Sequence, residues 1–369
     1  MITDLNAQIA NADSSSTIGH LLHLATEVER LSAGVAEYDS SELISSTAEV
    51  GSIRYVDDGT LRVYDSDNWR NIFNYHPAHV PPTPSYTFQG TVSGYVSGGY
   101  NPTVNTIDKF SFSSDGNATD VGDLTVARWG VFGGTSSTHG YTGGGFSYNI
   151  IDKFPFSVDA NATDVGDITI NSRYRTGQSS SDNGYSTGGQ PYSNIIEKYP
   201  FSTDANSVDT GGDLTNNPEA STGHSSSTHG YTAGGYAGSG VTNVIQKFPF
   251  SSDDNATDVG DLFLAIYRAG GQSSTTHGYS SGGGTTPNNN TIQKFSMVSD
   301  ANGTDVGNLT VAIRLKTEDE PSSTTHGYAT GGYSPAKNTI EKFPFSTDAD
   351  ATDIGDLTVA RGAAAGSQV

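Results

Sequence analysis

The chain has 369 residues, 33% of them hydrophobic, with 45 glycines, no cysteine and a formal net charge of −22 from 40 acidic and 18 basic side chains. Without cysteine there can be no disulfide, thiolate metal site or cysteine nucleophile, and so acidic a surface repels a nucleic-acid partner. No stretch approaches the roughly 18–20 apolar residues of a membrane span, and the N-terminal MITDLNAQIANADSSS lacks the basic and apolar regions of a secretory leader, so neither is expected.

Residues 1–50 hold one predicted helix. Ser14–Ser16 lead into Thr17, and Ile18, Leu21, Leu22, Leu24, Ala25, Val28 and Leu31 follow amphipathic spacing. About four turns with so apolar a stripe are unstable in isolation. The segment is therefore expected to dock into a larger assembly or to self-associate, making the chain a homo-oligomer with a trimer favoured; packing on the flank of the following domain is the alternative. Residues 51–74 read as a β-meander. Ser52–Val56 and Leu61–Tyr64 alternate about the turn Asp58-Gly59, and Asp67-Asn68 turns into Trp69–Ile72. Residues 75–85, with Pro77, Pro81, Pro82 and Pro84, form an extended linker.

The segment G-S-I-R-Y-V-D-D-G-T-L-R-V-Y-D-S-D-N-W resembles a small module of bacteriophage tail-fibre and other virion proteins. The preceding L-L-H-L-A-T-E-V-E-R-L is similar to N-terminal segments of marine phage structural proteins. The resemblance covers about 60 residues. It implies a virion location, with other virion proteins as partners through the N-terminus.

From residue 86 to 369 one unit is written six times. Its Gly-Tyr anchors, Tyr95, Tyr141, Tyr185, Tyr231, Tyr279 and Tyr328, stand 46, 44, 46, 48 and 49 residues apart. Each is followed by a Lys-aromatic step (Lys109-Phe110 in the first copy) and then by Gly-Asp or Gly-Asn (Gly122-Asp123). A period in this range signals a solenoid or propeller. Four short strands per unit, a diglycine after the second and an aromatic in the third resemble the kelch repeat, which implies an all-β, six-bladed β-propeller of four-stranded blades closed around a channel. The chain departs from that family in lacking the late tryptophan of each blade; Val121, Val165, Val259, Val306 and Ile354 are expected to make the inter-blade contact instead. The stretch Ala363–Val369 begins where a seventh unit's first strand would start, so it is expected to join the first blade and latch the ring, replacing or supplementing Tyr86–Gly90.

In such a blade the 1–2 and 3–4 turns share one face and the 2–3 loops and inter-blade links share the other. The first face is monotonous and the second is diverse. Candidate receptor-binding residues on the second face are Tyr100, Trp129, Phe146, Tyr148, Tyr174, Arg175, Tyr192, Tyr236, Tyr267, Arg268 and Tyr333, with Glu219 and Lys316 also in the links. Tyr, Trp and Arg beside Asn and Ser are what adaptable recognition surfaces use.

The recurring Asp-x-Asn turns (Asp159, Asn161) superficially resemble a calcium loop but lack its glycine and distant glutamate. Asp and Asn bonding their own backbone explain them without a metal. His139, His229, His277 and His326 recur one per blade and are expected to stabilise turns, and the third-strand lysines to lie along blade edges or pair with acids. No nucleophile elbow or phosphate loop is present. The expectation is a cofactor-free, non-enzymatic phage virion protein whose propeller binds a host-surface glycan or protein. A structural decoration, fibre or tail-assembly protein, or a bacterial surface adhesin, are the alternatives.

Overall fold

A computed structural model describes residues 88–284, 287–314 and 319–369, and the backbone of three strands nearer the N-terminus. The predicted helix at 18–31, the linker at 75–85 and Lys316 lie outside the described residues. The N-terminal strands β1 (Ile53–Val56), β2 (Thr60–Tyr64) and β3 (Trp69–Asn74) form an antiparallel meander, with Val56 opposite Thr60.

The second unit is a six-bladed β-propeller of antiparallel blades, with no helix among its described residues. The second blade shows the pattern: β7 (Phe132–Thr135) lies innermost and β8 (His139–Gly143), β9 (Ile150–Pro155) and β10 (Thr163–Asp167) follow outward. The first blade takes β4 (Ser93–Ser97), β5 (Thr106–Ser111) and β6 (Thr119–Asp123) from one end of the domain. Its innermost strand, Ala365–Gln368, comes from the other end and pairs with β4 from Ala365↔Ser97 to Gln368↔Gly94. The expected latch is therefore present, and the C-terminal strand takes the inner position outright. Residues 88–92 instead cross the first-face end of the axis: Gly90 bridges Ser323 in parallel, and the Val369 carbonyl accepts the amides of Thr91, Val92 and Ser93.

Each element of the repeated signature acts on a neighbour. The Gly of Gly-Tyr lies opposite the aromatic of the Lys-aromatic step, as Gly140 does Phe154. The ring lies over it, so a Cβ there would stand 2.3 Å from the Phe154 Cζ. The Tyr packs against the next blade's aromatic pair: Tyr95 on Phe154 and Phe156, Tyr141 on Tyr199 and Phe201, and, closing the circle, Tyr328 on Phe110 and Phe112. Val121, Val165, Val259, Val306 and Ile354 pack on these inter-blade clusters as expected. Burying each such ring contributes about 1.5–3 kcal/mol, which makes the inter-blade aromatics the main adhesive of the ring.

The lysines and the Asp-x-Asn turns are the two halves of one clasp. Lys109 pairs with Asp159 of the next blade at 2.8 Å, and Lys153–Asp204, Lys198–Asp253, Lys247–Asp300, Lys294–Asp348 and Lys342–Asp115 complete the circuit. Two residues on, Asn161 Oδ1 accepts the Asp123 amide of the preceding blade, and Asn206, Asn255, Asn302, Asp350 and Asn117 repeat this around the ring. These carboxylates and amides are thus occupied by neighbouring blades. The histidines hold turns: the His139 amide donates to Ser136 Oγ at 2.9 Å, and its Nδ1 sits 2.8 Å from Thr138 Oγ1.

The axis is filled rather than open. Amides of Thr135, Ser179, Ser225 and Ser273 each donate to the hydroxyl of the next inner strand, Ser179, Ser225, Ser273 and Ser322, at 2.9–3.1 Å. One layer away the inner strands meet at glycines so closely that a Cβ on Gly177 would fall 1.9 Å from the Gly133 carbonyl oxygen. In the sixth blade Pro321 interrupts the inner strand, and Asp319 projects to the axis instead. Its Oδ2 accepts the amides of Gly133 and Gly177, both at 2.9 Å, and its Oδ1 has no hydrogen-bond partner.

Candidate functional site

The second face is built on the inter-blade links. Each link must turn sharply from an outermost strand toward the axis, and five of them do so through a positive φ: 66° at Gly130, 56° at Tyr174, 54° at Ala220, 59° at Arg268 and 51° at Ala363. Positive φ at a tyrosine or an arginine is sterically costly and persists only when the surroundings enforce it. Here a chain of backbone hydrogen bonds does so: Gly130 donates to Ala363, Tyr174 to Gly130, Ala220 to Tyr174 and Arg268 to Ala220, at 2.7–3.0 Å. The bulky side chains of the links are thereby gathered around the axis on one face.

They form a continuous arc with the 2–3 loops. Tyr333 contacts Tyr100 (ring centroids 5.4 Å), Tyr100 contacts Trp129 (4.9 Å), and Trp129 stacks on Phe146 (5.1 Å, interplanar angle 9°) and meets Tyr174 (5.7 Å). Arg268 lies over both Tyr174 (5.2 Å) and Tyr267 (5.1 Å), and Tyr267 leads through Tyr236 to Tyr192. Nine of the candidates, Tyr100, Trp129, Phe146, Tyr174, Tyr192, Tyr236, Tyr267, Arg268 and Tyr333, are thus brought together. Tyr174 is buried and acts as a support, whereas Phe146 and Tyr192 are 49% and 43% exposed. Tyr148 is half-buried and joins no ring contact of the arc.

Arg175 does not belong to the surface. It is fully buried within its blade, 3.3 Å from Glu197, where burial lowers its pKa against the pull of that carboxylate. Arg128–Asp152 and Arg361–Asp108 are equally buried pairs. The arginine that serves the face is Arg173, two residues earlier, which sequence reasoning missed. Its guanidinium lies 4.8 Å from the Phe146 ring centroid, 5.1 Å from Trp129 and 5.3 Å from Tyr174, and its Nε donates to Gln190 Oε1 at 2.7 Å. Side chains two apart share one side of an extended chain; the left-handed turn at Tyr174 (φ 56°) between the two arginines separates them, and the sequence offered no signal for that turn.

Between the 2–3 loops of the second and third blades lies a cavity of about 560 Å³. Phe146 and Tyr192 line it from two sides, with Arg173, Asn171 and Gln190 between them. A concave site with aromatic walls and a few convergent polar groups is the usual form of a small-ligand site. Glu219 stands nearby at 7% exposure; burial raises its pKa, and Arg268 and Arg173 pull it back. Among the described residues no cluster of His, Asp and Glu could hold a metal ion. No protein-family model matches the sequence, and no curated protein matches it significantly.

Proposed function

We propose that the propeller is the recognition head of a bacteriophage virion protein, binding a host-surface receptor, a glycan in preference to a protein, through its second face and without catalysis. The observation that carries this reading is the cavity flanked by exposed Phe146 and Tyr192 at the end of an arc of rings and arginines. Aromatic faces stack on sugar rings, and Asn171, Gln190 and Arg173 suit the hydroxyls between them. The likeness of residues 51–73 to virion modules supports attachment through the N-terminus to other virion proteins. Glycoside hydrolysis needs a pair of carboxylates; among the described residues the links and 2–3 loops contribute one, Glu219, which supports binding alone. Several heads on one particle would raise weak single-site affinity through effective concentration.

The test uses the full-length chain, labelled and applied to a panel of bacterial strains and a glycan array. Binding that is lost in Phe146→Ala/Tyr192→Ala, with unchanged melting temperature, supports the reading. Binding to assembled phage particles but to no cell or glycan would instead favour a structural role, for which a Tyr-, Trp- and Arg-rich face is also suited.

A further inference from the structure

The basic residues of the propeller are divided by the fold into two groups. The six third-strand lysines are committed to the rim pairs, and Arg128, Arg175 and Arg361 to buried pairs. Every remaining basic residue of the domain, namely Arg173, Arg268, Arg314, Lys316 and Lys337, belongs to a link or a 2–3 loop. Arg173, Arg268, Arg314 and Lys337 form no ion pair among the described residues. Of the chain's 40 acids, the same links and loops hold two, Glu219 and Glu318. In a chain of net charge −22, the described propeller cations outside ion pairs, Arg173, Arg268, Arg314 and Lys337, all belong to the face that varies between blades. Such segregation focuses potential locally and favours an anionic ligand group there against the field of the rest of the molecule.

We infer that the cavity between the second and third blades takes an acidic sugar, with a carboxylate or sulfate ester seated on Arg173; this deepens, and rests on, the glycan reading above. Gln190 holds the guanidinium through Nε, and the rings of Phe146, Trp129 and Tyr174 pack around it. The two Nη groups donate to no protein atom among the described residues. A planar, pre-oriented fork with both Nη groups free is the geometry that receives a carboxylate or sulfate bidentately, and a lysine cannot reproduce it. Phe146 and Tyr192 supply walls for the sugar ring on either side. Glu219 is buried and is not among the residues that line the cavity.

The experiment applies the full-length chain to a glycan array in which carboxylated, sulfated and neutral members share the same backbones, and then titrates the hits with their carboxyl-reduced or desulfated counterparts. Binding confined to acidic members is expected, weakening at least tenfold on reduction or desulfation and at least tenfold in Arg173→Ala. Arg173→Lys should recover only part of it, while Lys109→Ala on the rim changes nothing. The carboxylated and sulfated arms decide which anion the cavity prefers. Hits among neutral glycans that survive in Arg173→Ala overturn the acidic-sugar assignment but leave glycan recognition standing. Binding to no member of the array overturns both. Circular dichroism of Arg173→Ala and Arg173→Lys separates lost binding from lost structure.

Discussion

Lys342 of the sixth blade pairs with Asp115 of the first across 227 positions of sequence, so the rim ion pairs form a circuit with no ends. The aspartate is more than half exposed, and a solvent-exposed pair of this kind contributes about 0.2–1 kcal/mol. The ring that Tyr328 makes with Phe110 and Phe112 at the same seam is buried. Lys342→Ala should therefore cost less than about 1 kcal/mol and lose its effect in high salt. Phe110→Ala should cost about 3–5 kcal/mol at any ionic strength. Urea denaturation at low and high salt measures both.

The buried pair Arg128–Asp152 offers an internal control. Asp152 accepts from Thr125 of the preceding link as well as from Arg128. In the fourth blade Gln246 occupies the same place, accepts the Thr215 amide at 2.6 Å and is paired with no arginine. Arg128→Met should strand the Asp152 carboxylate and cost about 3–5 kcal/mol. Adding Asp152→Gln should return most of that loss, since it restores an arrangement the protein already uses. A double-mutant cycle in urea gives the coupling.

Asp319 should make the propeller's stability depend on pH. Burial pushes its carboxyl up to about 7 from 3.8, against the two glycine amides that favour the charged form. The folded state then keeps a proton that the unfolded chain has released, so this contribution falls as pH rises from about 4 to 7 and is constant above. The full span is roughly 4 kcal/mol. His224, buried and held near 4 by desolvation, has the opposite slope, so the difference between wild type and Asp319→Asn is the informative quantity. That difference should change by several kcal/mol between pH 4.5 and 7.5 and stay flat beyond. A pH-independent difference would show that the glycine amides keep Asp319 ionised.

Removing Ala365–Val369 should leave the first blade without an inner strand and the amides of Thr91, Val92 and Ser93 without their acceptor. Calorimetry should show a broadened transition at lower temperature rather than a simple shift, because the first blade loses its inner strand and the second blade the strand whose Gln368 amide donates to Thr135, while the third to fifth keep both neighbours.

The blades, their strands and the latch were legible because each unit repeats the same short-range pattern, and periodicity reports strands directly. The partners of Lys109 or Asn161 were not, because both act on the next blade, and that adjacency exists only once the ring forms. Asp159 and Asn161 were consequently expected to bond their own backbone, whereas Asp159 pairs with Lys109 and Asn161 accepts the Asp123 amide, both of the preceding blade. On the second face the aromatic arc was legible as composition on shared loops. The choice between Arg173 and Arg175 was not, since it depends on the left-handed turn at Tyr174 that lies between them. Asp319 was invisible for a related reason: its role arises from Pro321 breaking the one inner strand that departs from the repeat.

The pairing of Ala365–Gln368 with β4 also sets an order of events during synthesis. The ribosome delivers blades two to five with all four strands in sequence, and each can assemble as it emerges. The first blade, although its outer strands are made earliest, must wait with an uncovered edge until the stretch from residue 365 to 368 is released. That edge is a site where one nascent chain could accept a strand from another, so speed of release and dilution of neighbouring chains should govern how much of this protein reaches its closed form.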